Sequence, residues 1–181
     1  MYRSKSNPQL TLRPQDVVVL LRLSLDQGPA PTYAALATEL RLTASEIHAG
    51  VDRAVAAQLI RKDAGGKPVL LLESLRLFVQ HGLRYCFPAT RGEVTRGVPT
   101  SYAAPPMLAL IVQPGEMPPV WPYKAGTARG TAFYPLYPTV PEAALMNPAL
   151  YELLVLVDAI RGGSPRERAL AIAELDKRWQ A

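Results

Sequence analysis

The sequence predicts a mainly α-helical fold with one small β-hairpin, followed by a proline-rich extended arm and two C-terminal helices. Three observations lead to this prediction. Apolar residues recur at helical spacing over residues 15–26, 33–58, 74–86 and 149–180. Residues 59–71 instead form two short runs around a glycine-rich turn. Most of the 18 prolines lie between positions 87 and 147, which excludes long helices there.

The first helical segment follows Pro14, a residue that fits the first position of a helix. Asp16 adds a negative charge, which stabilises a helix N-terminus. The run from Gln15 to Asp26 is heavily apolar. Its Val-Val-Val segment, residues 17–19, is also compatible with a strand, so both alternatives remain open at this point.

Residues 32–58 predict two helices joined by a tight turn. Thr32 can cap a short helix from Tyr33 to Leu40, and Arg41 and Leu42 form the turn. A capping box follows, in which the Thr43 hydroxyl accepts from the amide of Glu46 and the glutamate reaches back. The second helix then runs to about residue 58, and its buried stripe consists of Ala44, Ile47, Val51, Ala54 and Val55.

A basic hairpin follows the second helix directly. Residues 59–62 and 67–71 read as two strands, and Asp63-Ala-Gly-Gly66 supplies the turn between them. The hairpin carries three cations: Arg61, Lys62 and Lys67.

The outer face of the second helix is small and polar, which suits close approach to base edges and phosphates. The cations of the hairpin need only their charge to contact phosphates. We therefore predict that double-stranded DNA is bound by Thr43, Ser45, His48, Ala49 and Arg53 on the helix and by Arg61, Lys62 and Lys67 on the hairpin. A solvated helix face and ordinary solubility are the plain alternatives for these residues.

This order of elements is that of a winged helix-turn-helix, and residues 12–72 resemble the DNA-binding domain of MarR-like transcriptional regulators. The resemblance is carried by the glycine pair of the hairpin and by Leu36-Ala37, Leu40, Leu42 and Ile47. It implies that the second helix enters the major groove of DNA. One position departs from the pattern, because Arg41 stands where such families often have glycine.

Charge agrees with a polyanionic partner, although the excess is modest. The chain has a formal net charge of +5. Residues 1–86 hold 11 Lys and Arg against 7 Asp and Glu, so +4 of that charge lies in the half of the chain that contains the predicted winged domain, residues 10–86.

A helix is predicted after the hairpin, from Ser74 to Cys86, with a buried stripe of Leu75, Phe78, Val79, Leu83 and Cys86. The arm, residues 87–147, holds 7 of the 13 aromatic residues, so we expect it to be ordered and packed rather than disordered. Residues 107–112 are expected to form a short strand, and residues 118–122 and 135–138 to adopt polyproline II geometry.

Residues 148–181 predict a helical pair. Pro148 begins a helix that runs from Ala149 to Arg161, and Ser164 and Glu167 form a capping box for the last helix. We expect these helices to form a homodimer, because two-fold DNA sites are read by two-fold dimers. The arm could pack within the dimer, clamp a third protein or form a pocket for a small-molecule effector.

Catalytic and metal sites are not indicated. His81 and Cys86 lie five residues apart, which places them on different faces of an α-helix. No His and Cys cluster has metal-ligand spacing, and no glycine-rich phosphate loop is present. We expect no cofactor and no enzyme activity.

The sequence as a whole predicts a homodimeric, sequence-specific DNA-binding transcriptional regulator, acting as a repressor. The alternative is a protein-interaction or antitoxin-like adaptor whose arm clamps a partner protein. An enzyme with a site assembled from the arm is a third reading. The single cysteine and the absence of an apolar run after the basic start predict a cytoplasmic protein without membrane attachment.

Overall fold

The computed structural model describes residues 10–26, 28, 30–112, 115 and 117–180. Its first half contains helices α1 (Pro14–Leu23), α2 (Tyr33–Leu40) and α3 (Ala44–Ala56), then an antiparallel hairpin of β1 (Ile60–Lys62) and β2 (Pro68–Leu70). The predicted mainly helical fold with a small hairpin is therefore confirmed in these coarse terms.

Helix α1 lies at the centre of the core. Its residues 17–21 are all buried, and it packs against α3 and against a helix near the C-terminus. Because Val17, Val18 and Val19 lie within α1, the alternative of a strand at these positions is wrong. The β-branched residues adopt a helix here because burial on several sides outweighs their modest helix propensity.

The turn between α2 and α3 follows the predicted local chemistry. Arg41 adopts the left-handed conformation, with φ 55°, where glycine is usually favoured. The Thr43 hydroxyl accepts from the amide of Glu46 at 3.1 Å, and the carboxylate of Glu46 accepts from the amide of Thr43 at 2.8 Å. The capping box is thus confirmed, and it fixes where α3 begins.

The hairpin turn is held by Asp63, whose Oδ1 accepts from the amides of Gly65 and Lys67 at 2.9 and 2.8 Å. Gly66 takes a φ of 77°, which a residue with a side chain rarely adopts. The strand register pairs Ile60 with Leu70. This local bonding rigidifies the part of the chain that carries the three cations.

The predicted helix from Ser74 to Cys86 is interrupted. Helix α4 (Leu72–Leu77) leads into a π-helical turn (Phe78–Gly82) and then into α5 (Leu83–Cys86). A π turn takes more residues than an α turn and rotates the residues after it. Leu75, Val79 and Leu83 stay buried, whereas Cys86 is exposed, so the prediction that Cys86 belongs to the buried stripe is wrong.

Residues 87–147 are not an extended arm. They form strands β3 (Arg91–Pro99), β4 (Pro119–Pro122) and β5 (Ala128–Phe133), which close into a small three-stranded sheet, and helix α6 (Val140–Met146). β3 pairs antiparallel with both other strands, while β4 and β5 pair in parallel. The strand expected at residues 107–112 is also wrong, because Met107–Ala109 is a 3₁₀ turn.

Glycines make the closure of this sheet possible. A Cβ added at Gly97 would lie 1.9 Å from the carbonyl oxygen of Trp121, and one at Gly130 would lie 1.9 Å from that of Pro118. Both distances are to backbone atoms, which cannot move aside without separating the strands. The three strands therefore approach more closely than side chains would allow.

A buried polar network fastens the sheet to helix α7 (Pro148–Gly162). The Asp158 carboxylate accepts from Trp121 Nε1 at 2.6 Å, from Thr100 Oγ1 at 2.8 Å and from Arg161 Nη1 at 2.7 Å. Burial raises the pKa of Asp158, and its three donors oppose that shift. Arg161 also donates to the carbonyl oxygens of Phe87 and Pro88.

Helix α7 is surrounded by its own chain, since every residue from Leu153 to Arg161 is buried. Helix α8 (Pro165–Gln180) covers it with Ala171 and Leu175, after the predicted capping box of Ser164 and Glu167. The apolar face that we expected α7 to offer to a second copy is therefore already used within one chain. Homodimer formation itself stays a prediction.

Candidate nucleic-acid interface

The candidate interface consists of the outer face of α3 together with the hairpin. Ser45 and His48 are exposed on α3, and Ala49 is half-buried one position further on. Thr43 is exposed at the N-cap, but its hydroxyl is engaged with Glu46. The small Ser45 and Ala49 leave room for another molecule to approach the helix backbone.

Arg53 does not belong to this face, and the prediction that it does is wrong. Its side chain turns inward and is only 9 % exposed. Its Nε and Nη2 atoms donate to Oδ2 and Oδ1 of Asp16, both at 2.7 Å. Asp16 is 1 % exposed and also accepts from the amide of Arg13 at 2.8 Å. The hydrogen bond to Asp16 raises the pKa of Arg53, and the pair joins α1 to α3.

Gly50 gives this ion pair its space. A Cβ at position 50 would lie 2.9 Å from Oδ1 of Asp16. The glycine therefore costs helix propensity but allows the carboxylate to lie against α3.

Asp52 ties α3 to the hairpin. Its carboxylate lies 3.0 Å from Nζ of Lys62 and 3.2 Å from Nδ1 of His48. The hydrogen bond from Lys62 lowers the pKa of Asp52, and the same contact raises the pKa of Lys62. Part of the charge of Lys62 is thus compensated within the protein. Asp52 was not among the predicted site residues, and its contact with Lys62 joins positions ten residues apart in the sequence.

A shallow groove separates the outer face of α3 from the hairpin. Tyr33, the first residue of α2, lines this groove and packs edge-on against the His48 ring, with 5.6 Å between the ring centroids. Lys62, Gly66 and Lys67 line the opposite side. Tyr33 was not among the predicted site residues, although its place directly after the Thr32 cap put it at the exposed start of a helix.

The remaining hairpin cations are free of internal ion pairs. Arg61 and Lys67 are exposed, and neither has a carboxylate within ion-pair distance in the described part of the chain. Asp63 lies beside them but accepts the amide bonds of the turn. The two side chains therefore present net positive charge to an approaching molecule.

Residues 137–142 contact the turn between α2 and α3 and the start of α3. Thr139 Oγ1 donates to the carbonyl oxygen of Leu40 at 2.8 Å, and the Tyr137 hydroxyl donates to Glu46 at 3.2 Å. Arg41 pairs with Glu142 of α6 at 2.9 Å. The capping bonds from Thr43 lower the pKa of Glu46, so this carboxylate stays charged at the start of α3.

The described residues contain neither of two further features that could bear on function. No group of three or more His, Cys, Asp or Glu side chains there could hold a metal ion. No helix among those residues has both the length and the apolar character needed to cross a membrane. No family model, curated protein or solved structure matches the chain.

Proposed function

We propose that this protein is a sequence-specific DNA-binding transcriptional regulator with a winged helix-turn-helix domain of the MarR-like kind. The outer face of α3 reads the major groove, and the hairpin contacts phosphates. The observation that carries the proposal is a groove lined both by the exposed His48 of α3 and by the cations Lys62 and Lys67 of the hairpin.

The proposed roles divide between recognition and affinity. In this proposal Ser45, His48 and Ala49 approach base edges, where small and hydrogen-bonding side chains discriminate between base pairs. Arg61, Lys62 and Lys67 supply phosphate contacts that are independent of sequence. Arg53 is left out of both sets because its guanidinium is bound to Asp16.

The regulator is further proposed to act as a homodimeric repressor that occupies a promoter. A single domain of this size offers few base contacts, and a two-fold dimer doubles them over adjacent half-sites. With α7 enclosed by its own chain, the dimer contact belongs on a surface other than the buried face of α7.

The alternative hypothesis, a protein-interaction adaptor, required an extended arm that is free to clamp a partner. Residues 87–147 fold against their own chain, where Tyr137, Thr139 and Glu142 hold the turn before α3. A protein partner would therefore have to bind a folded surface rather than be clamped by an extended segment.

The decisive experiment is fluorescence anisotropy with labelled duplexes at two salt concentrations. One duplex is the DNA upstream of this protein's own gene, and the other has random sequence. The proposal requires tighter binding to the upstream duplex that persists at higher salt. Weak binding that is equal for both duplexes and is erased by salt would refute it.

Variants assign the binding to the two surfaces. Arg61→Gln/Lys67→Gln should weaken binding to both duplexes and lower the salt slope by about 1.8, at about 0.9 per lost phosphate contact. Arg166→Gln/Lys177→Gln, which removes two exposed charges of α8, is the matched control for net charge. Ser45→Ala/His48→Ala should reduce the preference for the upstream duplex and leave random binding nearly unchanged.

A further inference from the structure

The outward face of the three-stranded sheet carries a second basic surface. Arg96 of β3 and Arg129 of β5 are directly opposite each other in the antiparallel register, and both are exposed. Partners in such a pair have Cβ atoms about 5 Å apart on the same face. The register therefore holds two guanidinium groups side by side.

This arrangement is unfavourable for the isolated protein. Like charges at directly opposed positions destabilise a sheet. Within the part of the chain that the structure describes, no carboxylate lies at ion-pair distance from Arg96 or Arg129, although Glu93 is on the same strand. An external anion bound between them would relieve the repulsion.

The surroundings of the pair favour a phosphate group. Arg96 and Arg129 line a shallow cleft together with Thr127, whose hydroxyl can donate to phosphate oxygens. Lys124 follows β4 and adds another exposed cation close in sequence to Arg129. Planar guanidinium groups match phosphate geometry with two parallel hydrogen bonds.

The cleft lacks the features of a protein interface. Of the described residues that line it, only Val94 has a large apolar side chain, and that side chain is 45 % exposed. Stable protein contacts are centred on buried apolar or aromatic anchors, whereas phosphate contacts need charge and little shape. An acidic protein partner is therefore less well matched to this surface than a nucleic-acid backbone.

We propose that the outward face of the sheet around Arg96 and Arg129 binds phosphate groups of a nucleic-acid backbone. This surface lies on strands other than the α3 and hairpin elements, so the proposal does not depend on groove reading by α3. It gives the chain a second, sequence-independent contact with nucleic acid.

The test measures the affinity of the full chain for a random-sequence DNA duplex between 50 and 200 mM salt. Arg96→Gln/Arg129→Gln removes two contacts, so the log–log salt slope should fall by about 1.8. Over this salt range the wild-type protein would lose about tenfold more affinity than the variant, since log 4 is about 0.6. The matched control is again Arg166→Gln/Lys177→Gln, which should keep the wild-type slope.

Each outcome separates this proposal from the proposed function. A wild-type slope in Arg96→Gln/Arg129→Gln, with a reduced slope in the hairpin variant Arg61→Gln/Lys67→Gln, overturns the sheet site and leaves the regulator intact. The reverse pattern supports the sheet site and refutes the hairpin contacts. If poly-glutamate binds with the same dependence on Arg96 and Arg129 and DNA does not, the nucleic-acid assignment is overturned. Thermal unfolding at or above the wild-type midpoint shows that the variant folds, because it removes a repulsion.

Discussion

The buried pair of Asp16 and Arg53 makes a sharp prediction about stability. In Arg53→Met, the Asp16 carboxylate loses two charge-assisted hydrogen bonds of 2.7 Å and keeps only the amide of Arg13. Because Asp16 is 1 % exposed, solvent cannot replace them. Breaking such a pair costs about 3–5 kcal/mol, a large part of the roughly 5–15 kcal/mol that stabilise a domain.

Urea unfolding at pH 7 measures this loss. With an m value of about 2 kcal/mol/M, the midpoint should fall by about 1.5–2.5 M. Ser45→Ala on the outer face of the same helix is the control and should change the free energy of unfolding by less than about 0.5 kcal/mol. Asp16→Leu/Arg53→Met removes both charges and should recover most of the loss, apart from about 1 kcal/mol for the bond to the Arg13 amide. A midpoint in Arg53→Met within 0.3 M or so of the wild type would refute the buried pair.

Three further predictions follow from other contacts. Asp52→Asn removes the carboxylate that compensates Lys62, so the affinity for random duplex DNA should rise and the salt slope should increase by about 0.9. An unchanged affinity and slope would contradict the idea that Asp52 withholds the charge of Lys62 from DNA. Gly130→Ala places a Cβ 1.9 Å from the carbonyl oxygen of Pro118 and should lower the free energy of unfolding by more than about 3 kcal/mol. The control Gly65→Ala, whose Cβ would have its nearest atom at 3.4 Å, should have a small effect. Equal effects of the two substitutions would contradict the close approach of the strands. Burial raises the pKa of Tyr151 to about 12, above the value of about 10 in the unfolded chain. The free energy of unfolding should therefore decline as the pH rises from about 10 to 12. Unfolding experiments on Tyr151→Phe should show a smaller decline over the same pH range.

Local signals were sufficient for the first half of the fold. Helix α2 begins and ends at the predicted residues, and both capping boxes form. Caps, left-handed turns and hairpin turns are determined by residues within four positions of one another, so a single sequence contains the information. The π turn could not be predicted in this way, because no hydrophobic periodicity indicates the added residue. Its Gly82 lies close to the Phe78 ring.

The three-stranded sheet within residues 87–147 could not be predicted, because its strands pair residues that are far apart in the sequence. Prolines correctly excluded long helices through most of the segment, and the aromatic residues correctly indicated packing, with Trp121 and Phe133 fully buried. Strand pairing, however, joins Arg91 to Phe133 and Gly97 to Pro122 across long stretches of chain. Alternation is also obscured, because glycines occupy the inward positions where apolar side chains would mark a strand.

The wrong prediction for Arg53 has a physical explanation that also accounts for two other unusual residues, Asp16 and Gly50. An acid in an apolar helix, a glycine inside a helix and an arginine near the end of that helix each have an ordinary explanation when taken alone. In the structure, the absence of a side chain at Gly50 leaves room for the Asp16 carboxylate, and Arg53 neutralises the charge of that carboxylate. Periodicity within α3 could not reveal this, since the partner of Arg53 comes from α1. The outer face of α3 is consequently less basic than predicted. In the proposed function, affinity for DNA would therefore come mainly from the hairpin and from the second basic surface, and selectivity from Ser45 and His48.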